Sequence, residues 1–316
     1  MLQFQKVTMD QLRGKSVLIT GGTGLVGKRL IHWFVNAGCT IHILSRTKRQ
    51  NTPNIHYFTW DPDKEIIEKE AVFVDHIVNL AGAGIADWRW TKKRKALIVE
   101  SRVKGLQLLK KALIDTGHPP SSMVSASAIG YYGNRGDEWL LENSPSSTGF
   151  LGETTKAWEE AAQEVFMHCS WGTIIRIGIV LSTRGGALEK ILKSAPLRVL
   201  PRFGSGNQFY SWIHIDDLCQ LILQSLTHPS YQGIINGVSP QPLRHTDFMK
   251  SISDGLPGSF MIAPVPAIAL KMVLGEMSAV VLDSARVKSD KLNALGFVFS
   301  YPFLTGAIRH LNDTKI

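Results

Sequence analysis

From Ser16 onward, short apolar runs alternate with longer segments whose apolar positions recur at helical spacing. "SVLIT" at 16–20 reads as a strand, and Leu25 to Ala37 reads as a helix with Val26, Leu30, Trp33 and Phe34 on its inner face. "TIHILSR" (40–46), "NIHYFTW" (54–60) and "DHIVNLAG" (75–82) follow as strands. "RKALIVESRVKGLQLLKKALIDTG" is a long amphipathic helix closed by Gly117, with Pro119 beyond it. "SSMVSAS", "GTIIRIGIVL" and "GIINGV" give further strands, and "GETTKAWEEAAQEVF" and "DDLCQLILQSL" further helices. Strands alternating with helices predict parallel βαβ units, hence an α/β fold with a doubly wound parallel sheet.

After Leu181 the rhythm breaks, and from Ser239 the chain is proline-punctuated and mostly helical in pattern. These stretches predict a smaller, mostly helical C-terminal lobe. The expected division is 1–180 plus 212–238 for the sheet domain, and 181–211 plus 239–316 for the lobe. The lobe would cover the C-terminal edge of the sheet, where open α/β folds bind ligands.

The first strand runs into G-G-T-G-L-V-G, from Gly21 through Gly22, Thr23, Gly24, Leu25 and Val26 to Gly27. Gly21 permits a tight turn, Gly24 lets backbone approach a pyrophosphate, and Gly27 allows close packing of helix and strand. The helix N-terminus adds N–H donors and a positive dipole end. The second strand ends in Ser45 and Arg46, where an NAD-specific site would carry a carboxylate for the ribose hydroxyl. A guanidinium suits a 2′-phosphate instead, so NADP (NADPH) is the expected cofactor, with Lys48 and Arg49 adding positive charge.

Composition narrows the remaining classes. The net charge is +9, part of it in "TKKRK" at 91–95. No aromatic-interleaved basic stripe accompanies it, so nucleic acid is not an expected partner. The most apolar stretch, Met261 to Leu282, is broken by Pro264, Pro266, Lys271 and Glu276, which argues against a membrane span. The first fifteen or so residues lack an apolar signal-peptide core. Cys39, Cys169 and Cys219 are widely spaced, without CxxC, and read as reduced thiols in a cytoplasmic protein. No HExxH or GxSxG pattern occurs. Trp212 and His214 fall where the chain re-enters the sheet, and a lone histidine there reads as structural. Nothing in the pattern fixes the oligomeric state.

The glycine turn, "NLAG" at 79–82, "SASAIGYYG" at 125–133 and "FGSGNQFYSWIHIDD" at 203–217 resemble the extended short-chain dehydrogenase/reductases. More narrowly, "NLAGAGI", "KAWEEAA" and the tail "LGEMSAVVLDSARV" resemble the YfcH-like epimerase-family proteins, atypical members of the NAD(P)-dependent epimerase/dehydratase superfamily. The resemblance implies a Rossmann-type sheet and a set of cofactor contacts. The Gly21–Gly27 loop would hold the pyrophosphate, and Ser45 and Arg46 the 2′-phosphate. Asp61 would lie near adenine, with Leu80, Ala81 and Gly82 lining the cofactor. Arg102 would face it, and Val180 would abut the nicotinamide.

That superfamily's usual acid/base is Tyr-x-x-x-Lys with an upstream serine. Ser127 fits the serine and Lys156 the lysine, but Gly152 stands four residues before Lys156. Tyr131 and Tyr132 are the candidate surrogates for the absent phenol. Two functions therefore stay open. One is an NADP-dependent oxidoreductase or epimerase-like enzyme acting on a small polar substrate. The other is a catalytically silent NADP(H)-binding sensor or regulatory protein.

Overall fold

The computed structural model describes residues 8–47 and 49–314, so Lys48 lies outside the described residues. Eight strands form the central sheet: β1 (Ser16–Thr20), β2 (Thr40–Ser45), β3 (Ile55–Asp61), β4 (Ile66–Ile67), β5 (His76–Asn79), β6 (Ser122–Ala128), β7 (Trp171–Ile177) and β8 (Gly233–Gly237). Their order is β8-β7-β6-β5-β1-β2-β3-β4. All pairings are parallel except β3 with β4. The order reverses between β1 and β5, so the ends of those two strands form the crevice in which such sheets bind ligands.

Four helices flank the sheet: α1 (Leu25–Asn36), α2 (Lys92–Thr116), α3 (Phe150–Phe166) and α4 (Ile215–Thr227). Thr91 starts α2 by accepting the Arg94 N–H at 3.2 Å, and Gly117 ends it in the left-handed conformation at φ 62°. Helix α3 begins at Phe150, two residues before the sequence pattern predicts, and that shift bears on the site. The predicted run "GTIIRIGIVL" divides at Gly178. Its second half, Ile179–Leu181, leaves the sheet and pairs with Trp212–His214.

Side-chain alternation in β1 assigns the two faces. Val17 and Ile19 enter one apolar cluster and Leu18 the other. The second cluster is the layer under α2 and α3, with Leu106, Leu109, Trp158 and Val165. The first runs without a break from α1 and α4 into the C-terminal region, where it takes in Phe248, Ile252, Ile308 and Leu311. The C-terminal segments include a helix at His245–Gly255, a strand at Met261–Val265 paired with Val199–Phe203, and a last helix at Leu304–Thr314. They share the core of the sheet. No helix among the described residues is long and apolar enough to cross a membrane.

Three buried histidines make the fold acid-sensitive. Burial pulls His214 down to about 3 and His76 and His245 down to about 4. In the unfolded chain each titrates near 6.5, so the stability that their neutrality provides is present above that pH and is lost as pH falls. Asp217 works the other way. Burial pushes it up to about 6, against the Ser300 and Tyr301 N–H groups that it accepts. Near pH 5 the unfolded chain therefore binds about two more protons than the native one, a slope of about 3 kcal/mol per pH unit. Urea unfolding should show about 4–5 kcal/mol less stability at about pH 5 than at about pH 7. Equal stability at the two pH values would contradict the burial of these groups.

Candidate functional site

The glycine turn closes at the end of β1. Gly21 has φ 70°, and a Cβ there would stand 2.7 Å from the Leu80 carbonyl oxygen. Side chains other than hydrogen are excluded twice, by conformation and by contact. A Cβ on Gly27 would meet the Gly21 oxygen at 2.5 Å and Gly22 Cα at 2.7 Å, so this glycine packs α1 onto the turn itself. Thr20 fixes the distance between the turn and the loop after β5. Its Oγ1 accepts the N–H groups of Leu80 and Ala81 at 3.1 Å each and donates to Asn79 Oδ1 at 2.7 Å. Asn79 Nδ2 in turn donates to Ser125 Oγ at 3.0 Å.

Thr23 and Gly24 are exposed, while Leu25 and Val26 are half-buried. Gly24 caps α1 without a side-chain hydrogen bond, and the first turn has no acidic residue. The N–H groups at this end and their dipole thus face outward uncompensated. Ser45 ends β2, with its Oγ on Thr47, and Arg46 beside it is exposed and makes no ion pair among the described residues. Arg49 stacks over Tyr57 at 5.9 Å. Asp61 ends β3, paired with Lys64 at 3.3 Å.

Arg102 projects from α2 against Gly82, whose Cβ would lie 2.9 Å from the guanidinium carbon. It donates to the carbonyls of Ala83 and Ile98 and stacks over Trp158 at 4.8 Å. No carboxylate neutralises it among the described residues, and burial, with Arg94 nearby, pulls it down to about 10. Arg46, Arg102 and the N-terminus of α1 thus bring positive charge from three elements, Arg46 marked for the cofactor by the sequence pattern and Arg102 by the family resemblance.

A cavity of about 620 Å³ opens beyond this crevice. Its sheet-side wall includes Ala128, Ile177 and Val180, and its lobe-side wall Phe203, Phe209 and Val281. From α3 it receives Leu151 and Thr155, four residues apart and so on one helix face. Lys156 points elsewhere. It is exposed and reaches only Glu160, at 3.9 Å. Gly152 faces Ser147, leaving no room for a Cβ. The cavity-facing pair with the Tyr-x-x-x-Lys spacing is therefore Leu151 and Thr155, one residue before the positions taken from sequence. Neither the phenol nor the amine is present, and the Thr155 hydroxyl is bonded to the Leu151 and Gly152 carbonyls.

The other expected catalytic groups lie together, but away from the cavity wall. Ser127 is buried and donates to Glu159 Oε1 at 2.6 Å. Glu159 holds Arg176 through two bonds of 2.8 Å. Arg176 donates to Tyr132 Oη at 3.0 Å and to the Glu142 carbonyl, and Tyr132 donates to Asn236 Oδ1 at 2.6 Å. Burial pushes the Tyr132 phenol up to about 12, although Arg176 and Asn236 favour its ionised form. Tyr131 lays its ring 3.4 Å from the Arg176 guanidinium. Sequence proximity to Ser127 signalled these tyrosines, and the network shows them occupied in packing the strand end.

The cavity also contains a group that the sequence pattern did not single out. Asp283, in the tail "VVLDSARV", lines both this cavity and the polar pocket next to it; its N–H donates to the Ala279 carbonyl at 3.0 Å, and its carboxylate has no hydrogen-bond or ion-pair partner among the described residues. Elsewhere, His214, Asp216 and His310 lie within 4.8 Å of one another. His214 Nδ1 accepts the Asp216 N–H there, and Asp216 holds Arg29 at 2.6 Å and 3.0 Å, so these groups serve the start of α4.

Residues 17–236 match the NAD dependent epimerase/dehydratase family, and residues 265–311 match a domain of unknown function, DUF1731. The chain belongs to that epimerase/dehydratase family. It is 34% identical over 306 residues to an Arabidopsis thaliana chloroplastic homologue of the epimerase family protein SDR39U1, covering 93% of this chain and 86% of that one. It is 36% identical over 301 residues to an epimerase family protein of Staphylococcus epidermidis, covering 94% and 99%. Human SDR39U1, solved with NADPH, superposes with a TM-score of 0.82 at 27% identity, covering 94% of this chain and 99% of that one. A nucleoside-diphosphate sugar epimerase of Corynebacterium glutamicum gives 0.76 at 30% identity, covering 98% and 61%.

The buried network around Arg176 carries a stability prediction. Glu159→Ala strands a buried guanidinium and should cost about 3–5 kcal/mol. Tyr132→Phe removes one phenol but leaves its partners other bonds, and should cost about 1 kcal/mol. Denaturant unfolding of both variants checks the ranking. A Tyr132→Phe loss as large as that of Glu159→Ala would show that the phenol, not the ion pair, holds the strand end.

Proposed function

We propose that the chain binds NADPH across the ends of β1, β2 and β5 and presents its reactive ring to a small molecule in the cavity, as an oxidoreductase or epimerase-like member of its family. The observation that supports this most is the uncompensated positive charge of the crevice, where Arg46 and Arg102 lack acidic partners among the described residues and the N-terminus of α1 is uncapped. The residues present fit an anionic dinucleotide. In this reading the loop from Gly21 to Gly27 cradles the pyrophosphate, and Ser45 and Arg46 hold the 2′-phosphate. Asp61 lies by adenine, Leu80, Ala81 and Gly82 line the groove with Arg102 over them, and Val180 meets the nicotinamide end. The NADPH in the human SDR39U1 structure supports this choice of cofactor.

When bound, the dinucleotide would supply or accept hydride. The chain's own contribution is orientation by the crevice and exclusion of water by the aliphatic wall. In this reading proton transfer does not run through Tyr131, Tyr132 or Lys156, none of which is among the residues that line the cavity. A second reading, NADPH binding without turnover, draws on Leu151 and Thr155 at the positions where a phenol and an amine would serve. The three unpaired thiols suit a reducing compartment, for which we propose the cytoplasm.

Arg46→Asp should invert the preference for NADPH over NADH, moving the affinity ratio at least about tenfold, as expected for a charge-assisted contact of about 1.5–3 kcal/mol. Lys156→Ala should leave both affinities unchanged. Calorimetric titration decides, and equal NADH and NADPH affinity in the parent would end the cofactor assignment. The double variant Leu151→Tyr with Thr155→Lys should raise carbonyl reduction, read by nicotinamide absorbance, about 10²-fold or more if the missing pair alone limits turnover. A double variant that binds NADPH but gains nothing would favour the reading without turnover.

A further inference from the structure

The cavity beside the proposed nicotinamide position has a chemical character of its own. Pro201, Phe203, Phe209, Val280 and Val281 make its lobe-side wall aliphatic and aromatic. The polar groups that reach it are mostly committed. Tyr210 donates to the Val281 carbonyl at 2.8 Å, and Ser211 donates to the Ala285 carbonyl at 2.8 Å and accepts the Val287 N–H. Lys190, the one cationic side chain on the wall among the described residues, donates to the Ala86 carbonyl at 2.9 Å. Asp87, at the exposed rim, faces Arg94 at 3.6 Å. Asp283 alone combines a charge, partial burial and a carboxylate with no partner among the described residues.

The neighbours of Asp283 hold its backbone still. Ser284 donates its hydroxyl to the Gly136 carbonyl and its N–H to Asn134 Oδ1, and it accepts the Phe209 N–H at 2.9 Å. A half-buried carboxylate fixed in this way costs solvation that nothing in the chain returns. Burial also raises its proton affinity above the ordinary range. A donor from a ligand would return that cost.

We infer that the cavity takes a predominantly apolar molecule bearing one amine or hydroxyl donor, which Asp283 accepts. A nucleoside diphosphate sugar is the competing occupant: the wall includes Gly186 and Ala187 at the start of the helix Gly186–Leu192, which no side chain caps, but its charged side chains are two carboxylates and one committed lysine. An apolar ligand gains about 25 cal/mol for each Å² that it buries. The inference rests on the proposed function only in naming the same site.

The test uses matched probes on the NADPH-saturated protein: phenethylamine, phenethyl alcohol, phenylacetate and UDP-glucose, read by saturation-transfer NMR and by competition. Phenethylamine should bind at least about tenfold more tightly than phenylacetate, the scale of a charge-assisted hydrogen bond. Phenethyl alcohol should bind measurably, and UDP-glucose should displace neither. Asp283→Asn should bring the amine-to-acid ratio close to unity while sparing the alcohol, because the amide oxygen still accepts. Its NADPH affinity should match that of the parent, which also confirms folding. Equal binding of phenylacetate, displacement by UDP-glucose, no binding of any arene, or an unchanged ratio in Asp283→Asn would each overturn the inference. Failure of the parent to bind NADPH would instead overturn the proposed function. The probe ranking, repeated on the unloaded chain, would still decide the character of the cavity.

Discussion

The ion pair of Arg176 and Glu159 is the constraint around which the site end of the molecule is arranged. Both residues are almost wholly buried, and their two parallel bonds join β7 to α3. A buried pair is weak evidence of net stability, because desolvation consumes most of its attraction. Its value here lies in geometry. Arg176 has further donors for Tyr132 and Glu142, and Glu159 accepts from Ser127. Each of these contacts fixes the face that a neighbouring element presents. With Glu159 turned inward, the same face of α3 brings Thr155 and Leu151, one and two turns earlier, to the cavity and leaves Lys156 to solvent. The composition of the site thus follows from one pair of charges that does not touch it.

Charge is distributed unevenly between the two halves of the site. The crevice over β1 and β2 gathers cations without anions, and its helix end adds partial positive charge. The cavity beyond it has the reverse, an unpartnered carboxylate on an apolar wall. Neither half is at its electrostatic minimum alone. In the proposed reading the opposite signs would separate the two ligands, since an anionic dinucleotide is drawn to one half and kept from the other.

The fold was legible because βαβ repetition is written in local periodicity, which needs no knowledge of distant contacts. The glycine turn was legible for the same reason, since the positive φ of Gly21 and the packing of Gly27 against Gly21 and Gly22 are local, although the contact of Gly21 with Leu80 is not. Arg46 came from its position at the end of β2, and Arg102 from the family resemblance. The acid/base site was harder, because spacing alone does not give helical phase. An i, i+4 pattern fits Gly152 with Lys156 as well as Leu151 with Thr155, and only the packing of Glu159 distinguishes them. Tyr132 looked available because the residues that occupy it, Arg176 and Asn236, lie 44 and 104 positions away. Asp283 had no local signal. Its meaning depends on walls drawn from six other stretches of the chain.

The C-terminal lobe supplies the part of the cavity that differs most from a bare sheet domain. One apolar cluster joins its helices to α1 and α4, so the lobe is an extension of the sheet's own core. A lobe anchored in this way does not need its substrate in order to be positioned. The Ser284 bonds continue that rigidity to the residue next to the cavity. A preformed wall places the recognition of the second ligand in shape and in one carboxylate, and leaves closure around the ligand little to add. The sheet end supplies the positive crevice and the lobe supplies the apolar wall. With neither a phenol nor an amine on the face of α3 that meets the cavity, proton transfer there would draw on another lining group such as Asp87 or Asp283, on the ligand or on water.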